Sequence, residues 1–211
     1  MRQLGSPPEV DLTMTRIVTE VFAEHGISTK DADATTGGKD FLERILGLIR
    51  STGFTVAIFS DETRPSAMAN IALELGFAAM CGKPLVIAKS KQATAPSDLT
   101  RTDWIVYEAG QEQRFRRKLG QAIGEIRRLA DYEHDLLQVA FKARSMDCGV
   151  AFERANKGFL LSGEKRFIDA AAIILRRLQG VTGDDGIGDL ERLRTEIGMF
   201  LRQARNVMIA A

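Results

Sequence analysis

The chain has 211 residues, with 45% hydrophobic and 27% charged residues and a formal net charge of +1. That is the make-up of a globular protein with enough material for a sizeable core, and it excludes a collagenous or intrinsically disordered class. A charge this close to balance gives no reason to expect a nucleic-acid partner.

Charge is unevenly spread, with 11 Lys+Arg against 14 Asp+Glu over residues 1–110 and 18 against 14 over residues 111–211. The shift coincides with a change of pattern: helices and strands alternate before residue 110, and only helical patterns follow. Cys81 and Cys148 are isolated, so neither a disulfide framework nor a Cys-based metal site is expected. His25 and His134 are the only histidines, which leaves no material for a His-rich metal centre. No apolar run reaches membrane-spanning length and the first residues lack a basic-then-apolar leader, so a cytoplasmic protein with no membrane partner is expected.

Residues 1–10, with Gly5, Pro7 and Pro8, read as a loop. Asp11 or Thr13 can cap a helix carrying Ile17, Val18, Val21 and Phe22 and ending at His25-Gly26. Residues 27–34 read as a short strand or an extended connection, and residues 35–38 as a turn. Gly37-Gly38-Lys39 lacks the spacing of a phosphate loop. Asp40 opens an amphipathic helix with Phe41, Ile45, Leu48 and Ile49 on one face. Residues 54–59 form a continuous apolar run that suits a strand buried on both faces.

Residues 60–66 break the pattern with polar side chains, and Pro65 or Ser66 starts the next helix. That helix runs to about Cys81, placed as a small buried residue, and Gly82 supplies its C-terminal stop. Residues 85–88 are a second strand, which makes a βαβ unit with parallel neighbours. In such sheets ligands bind beyond the carboxyl ends of the strands, where Ser60 and Asp61 fall. Asn70 and Glu74 share one face of the intervening helix, among Ala, Met, Ile, Leu and Phe.

Residues 91–101 read as a polar loop and residues 103–107 as another short strand. Residues 111–144 form one long charged amphipathic helix or two abutting ones, with Arg114, Arg116, Arg117, Lys118, Arg127 and Arg128 on a solvated face. Residues 146–163 fit no single pattern. Ser162-Gly163-Glu164 opens a helix through Phe167, Ile174 and Leu178. The glycine-rich stretch 180–188 lacks the acidic periodicity of a calcium loop and reads as a connector, and Asp189 caps a last helix with an apolar end at residues 207–209.

Within this frame the segment from Gly37 to Lys118 resembles the TIR and TIR-like domains and the related nucleoside 2-deoxyribosyltransferase group. The resemblance is carried by Ser60-Asp61, Asn70, Glu74-Leu75-Gly76-Phe77-Ala78 and Gly82-Lys83-Pro84. Pro96-Ser97-Asp98-Leu99 and the strand ending at Tyr107 look like the nucleotide-binding TIR-like branch. Its first strand would fall on residues 1–10, where residues 1–4 are the stretch left for it.

The resemblance implies an α/β, flavodoxin-like parallel-sheet domain over residues 1–120, followed by an all-helical region over residues 121–211. It further implies a nucleotide ligand and cleavage of an N-glycosidic bond, NAD being the favoured substrate. The long helical tail with its apolar end at residues 207–209 points to a homo-oligomer. Glu74 falls on the catalytic glutamate of that superfamily. A carboxylate beside the anomeric carbon stabilises or attacks an oxocarbenium-like centre. Ser60 and Asp61 would hold ribose or the carboxylate, Asn70 a ribose hydroxyl, and Ser66 at the helix start a phosphate. No metal and no separate cofactor are expected. A sensor that binds the nucleotide without turnover and a self-assembling scaffold are the alternatives.

Overall fold

The computed structural model describes residues 1–2, 6–30, 41–94, 104–143, 146–180 and 187–209. The chain divides into two compact units, Met1–Glu125 and Ile126–Ala211. The elements of the first are α1 (Glu9–Glu24), α2 (Phe41–Arg50), β1 (Thr55–Phe59), α3 (Pro65–Met80), β2 (Leu85–Ser90) and β3 (Trp104–Tyr107). The long α4 (Glu112–Lys142) is a single helix that begins in the first unit and ends in the second. α5 (Cys148–Ser162), α6 (Lys165–Gln179) and α7 (Ile187–Ile209) complete the second unit.

β1, β2 and β3 form a parallel sheet in that order, with Ala57 opposite Ile87 and Ala88 opposite Ile105. Successive side chains alternate between faces. Ala57, Phe59 and Ile87 pack on Ile71 and Leu75 of α3, and each fully buried aliphatic there contributes about 1.5–3 kcal/mol. α2 adds Ile45 and Ile49 against Ala78 of α3. On the opposite face α1 packs on β1, and Tyr107 meets Phe115 of α4 edge-on at 5.4 Å between ring centroids. Helices on both faces explain why the strands read as continuous apolar runs.

A further parallel pairing lies at the free side of β1. The Met1 nitrogen donates to the Val56 carbonyl at 2.9 Å, and the Met1 carbonyl accepts from the Ile58 N–H at 2.9 Å. Two such bonds flanking Ala57 are those of a parallel bridge. Met1 is thus held beside Ala57 at the free side of the three-stranded sheet. Residues 3–5 lie outside the described set.

Several boundaries differ from the sequence-based expectation. α1 starts at Glu9 behind Pro8, so Asp11 sits inside the first turn instead of capping it. β2 runs on through Lys89 to Ser90. Residues 27–30 are neither helix nor strand, and the rest of the expected 27–34 strand lies outside the described residues, as do residues 181–186 of the expected connector. Part of the stretch 146–163, which fits no single pattern in sequence, forms α5: Asp147 Oδ1 caps it by accepting the Val150 N–H at 3.0 Å. Cys81 is exposed, because it closes the solvent end of α3. Arg116 is not merely solvated: it pairs with Glu20 and Glu24 of α1.

In the second unit, Glu133 of α4 is buried and clamped by Arg154 at 3.0 Å and Lys157 at 2.8 Å from α5. Burial works to raise its carboxyl pKa, but the bonds from Lys157 and Arg154 outweigh it and hold the group below the ordinary range. α5 and α6 cross at Gly158, where the Phe167 ring occupies the space a Cβ would need.

Candidate functional site

The polar residues of the first unit gather where β1 and β2 end. The turn after β1 is closed by the Ser60 N–H, which donates to Thr63 Oγ1 at 2.8 Å. The Thr63 hydroxyl in turn donates to Asp11 Oδ2 at 3.0 Å, which docks the turn onto the first turn of α1. Asp11 is wholly buried and Ser60 is 2% exposed. Asp11 Oδ1 and Ser60 Oγ are both buried without a hydrogen bond of good geometry, and they are neighbours.

Burial pushes the Asp11 carboxyl above its usual pKa, against the hydroxyls of Ser60 and Thr63. The nearby charge of Asp61 adds to the rise, and Arg2 opposes it. Asp61 is exposed and is tied to the next strand: its N–H donates to Ser90 Oγ at 3.2 Å, and the Ser90 hydroxyl donates to Asp61 Oδ1 at 2.7 Å. The two strand ends are therefore cross-linked by a reciprocal pair of bonds.

Beside Ser90, Lys89 is 8% exposed. Its Nζ donates to the Ala93 carbonyl at 2.5 Å and lies 4.8 Å from the centroid of the Trp104 ring.

The remaining residues singled out from sequence lie on α3. Pro65 occupies its first turn, and Ser66, Asn70 and Glu74 follow at steps of four, so they form one row down the helix. Ser66 and Asn70 are exposed and Glu74 is half-buried, whereas Ile71, Leu75 and Ala78 face the core. At 1.5 Å per residue, Glu74 lies about 13.5 Å along the axis from Pro65. The structure thus joins Ser60 and Asp61 to one edge, with Ser66 where α3 begins, and sets Glu74 well down the row that starts there.

Thr63, Lys89 and Ser90 carry no mark in the sequence reading, and Asp11 enters it only as a possible helix cap. The bond from Thr63 to Asp11 spans 52 positions and the Asp61–Ser90 pair 29, so no local pattern announces either. Lys89 had a signal: a lysine that continues a buried apolar strand.

Gly82-Lys83-Pro84 is structural in part. Gly82 has φ of +65°; its N–H bonds the Ala79 carbonyl, and the Lys83 N–H bonds the Ala78 carbonyl, which is a Schellman close to α3. Lys83 Nζ donates to the Thr52 carbonyl at 2.6 Å and the Arg50 carbonyl at 3.2 Å, holding the end of α2.

No three His, Cys, Asp or Glu residues come together to hold a metal ion among the described residues. No helix among them is long and apolar enough to cross a membrane. Comparison with protein-family models, with curated proteins and with solved structures gave no match.

Proposed function

We propose that the first unit is a TIR-like, flavodoxin-like module that binds a nucleotide at the carboxyl edge of its sheet and cleaves the N-glycosidic bond, NAD being the favoured substrate. The observation that carries this reading is the edge itself: Ser60 and Asp61, cross-linked to Ser90 and backed by the buried Asp11, at the strand ends where parallel sheets take ligands. The hydrogen bonds of Met1 to the free side of β1 add support, since that is the side on which a flavodoxin-like sheet would carry its first strand.

In this reading Ser66 receives a phosphate at the start of α3, and Asn70 hydrogen-bonds a ribose hydroxyl. Glu74 stabilises or attacks the anomeric carbon. The ligand runs along the Ser66–Asn70–Glu74 row, because Glu74 lies about 13.5 Å down the helix axis from Pro65. That same separation favours a second reading, a sensor that holds the nucleotide at the edge and leaves its glycosidic bond intact. A homo-oligomer belongs to the same proposal; exposed Leu129, Tyr132 and Val139 on α4 offer apolar surface for it.

Incubation of the purified chain with NAD, followed by chromatography for released nicotinamide, tests the activity. Release that falls at least about 100-fold in Glu74→Gln is expected for a residue acting on the reacting carbon. Release that Glu74→Gln leaves unchanged excludes the assigned role. Tight binding of NAD without release selects the sensor.

A further inference from the structure

α4 carries two rows of residues at helical spacing, and the second unit uses one of them for its core. Ile126, Ala130, Glu133 and Leu137 are buried. About a third of a turn away round the axis lie Leu129, Tyr132, Leu136 and Val139. Their spacing of three, four and three is the a/d pattern of a helix pair. Leu129 is 45% exposed, Tyr132 58% and Val139 67%, while Leu136 is half-buried. Ala122 continues the row toward the start of α4, with Glu125 as its one charged member. A contiguous apolar stripe left in water marks a surface for a partner.

The charges beside the stripe say which partner. Arg128, Asp135 and Lys142 recur every seven residues along its edge with alternating sign. All three are exposed, and none holds an ion pair with another described residue. They occupy the g positions of the heptad. In a parallel pair, g faces the e position of the other helix. Here the e positions are Ile126, Glu133 and Ala140; the first two are buried, and Glu133 is already clamped by Arg154 and Lys157. In an antiparallel pair g faces g, so the row meets itself.

The register follows from the same charges. With the two rows centred on each other, Asp135 opposes its own copy and Arg128 opposes Lys142, and like charges repel. A shift of one heptad sets Arg128 against Asp135 of the second copy, twice by the two-fold symmetry. That shift keeps the helices together over residues 121–142, about 33 Å. The opposite shift, with Asp135 against Lys142, overlaps only residues 135–142 of α4.

We propose that α4 pairs antiparallel with α4 of a second copy of this chain, through the stripe from Leu129 to Val139, with Arg128 and Asp135 in reciprocal ion pairs. Leu129 packs on Tyr132 of the second copy and Val139 on Ala122. Leu136 packs on the methylene stem of Glu125, whose carboxylate reaches water at the rim. The buried row is turned more than a quarter-turn from the stripe, so the core of the second unit lies back from the approaching helix. This interface rests on the homo-oligomer of the functional proposal and on nothing in the nucleotide reading.

Sedimentation velocity of the full chain over a concentration series tests it. The wild type dimerises. Arg128→Asp and Asp135→Arg each weaken the dimer at least about tenfold, because two attractive pairs become repulsive, and the double variant restores it to within about threefold of wild type. Tyr132→Lys also weakens it, by placing a charge in the stripe. The three positions are exposed, so the helical circular dichroism of every variant stays that of wild type. Recovery in the double variant is a result that lost fold or solubility does not produce.

A dimer that none of these variants weakens keeps the homo-oligomer and overturns the α4 interface. Loss in the single charge variants without recovery in the double overturns the antiparallel register. A wild type that stays a monomer at the highest concentration reached overturns the interface and the homo-oligomer together, and release of nicotinamide by that monomer leaves the enzyme reading standing.

Discussion

Asp11 carries an electrostatic conflict. Its carboxylate is out of water, with Thr63 donating to one oxygen and the hydroxyl of Ser60 beside the other. Its pKa is raised chiefly by burial, so the folded chain holds the proton more firmly than the unfolded one. The linked stability is complete below the unfolded carboxyl pKa and is lost as pH rises through the higher folded value. At neutral pH the ionised group is therefore a net cost. Asp11→Asn keeps an oxygen for Thr63 and turns an amide N–H toward Ser60, without the charge. The expected result is higher stability than wild type at pH 7, with the gain shrinking toward zero below the ordinary carboxyl range, read by urea denaturation at several pH values. A variant that is less stable by the same amount at every pH would mean that shape, not ionisation, sets the worth of Asp11. The same carboxylate braces the edge where Ser60 and Asp61 are held, through Thr63.

At the scale of elements, the close of α3 shows how much a short motif does mechanically. Gly82 takes a left-handed φ of +65° with no atom within 4 Å of the Cβ it lacks, so the requirement there is conformational and not spatial. Gly82→Ala is expected to cost about 1 kcal/mol, the price of a Cβ in that region, measured as a lower denaturation midpoint with an unchanged slope. No loss would mean that the turn adapts. This strand–helix–strand unit was legible because each part has a local signal: β-branched runs at 55–59 and 85–88, Pro65 at the helix start and Gly82 at its end. Asn70 and Glu74 were likewise readable as sharing one face. Helix spacing alone could not say how far down α3 Glu74 stands from the edge. Nor could it expose the cross-links from Thr63 to Asp11 and from Asp61 to Ser90, which depend on the sheet being assembled. Residues 146–163 resisted reading because α5 packs small residues, Ala151, Ala155 and Gly158, where a pattern search looks for large ones.

Across the whole molecule, the α/β and helical units have separate internal supports. The first is organised by its sheet, the second by the packing of α5, α6 and α7 and by the clamp of Arg154 and Lys157 on Glu133. The candidate ligand residues all lie in Met1–Glu125. A change confined to the helical unit should then alter stability without altering ligand recognition. Gly158 is the place to make it. A methyl group there would meet the ring of Phe167, which is fully buried and also edge-on to His134, so it has no open space to swing into. Gly158→Ala is expected to destabilise by about 1–3 kcal/mol, the usual range for overpacking a well-filled core. Phe167→Leu in the same chain should restore part of that loss, since the ring is the obstacle. Both can be followed by thermal denaturation monitored by helical circular dichroism. Affinity for NAD, measured well below the melting temperature, should stay within about twofold of wild type, since every candidate ligand residue belongs to the first unit. Unchanged stability in Gly158→Ala would mean that α5 and α6 can separate at no cost. A large loss of NAD affinity at retained fold would mean that the helical unit takes part in the site, and the assignment of recognition to the first unit alone would fall.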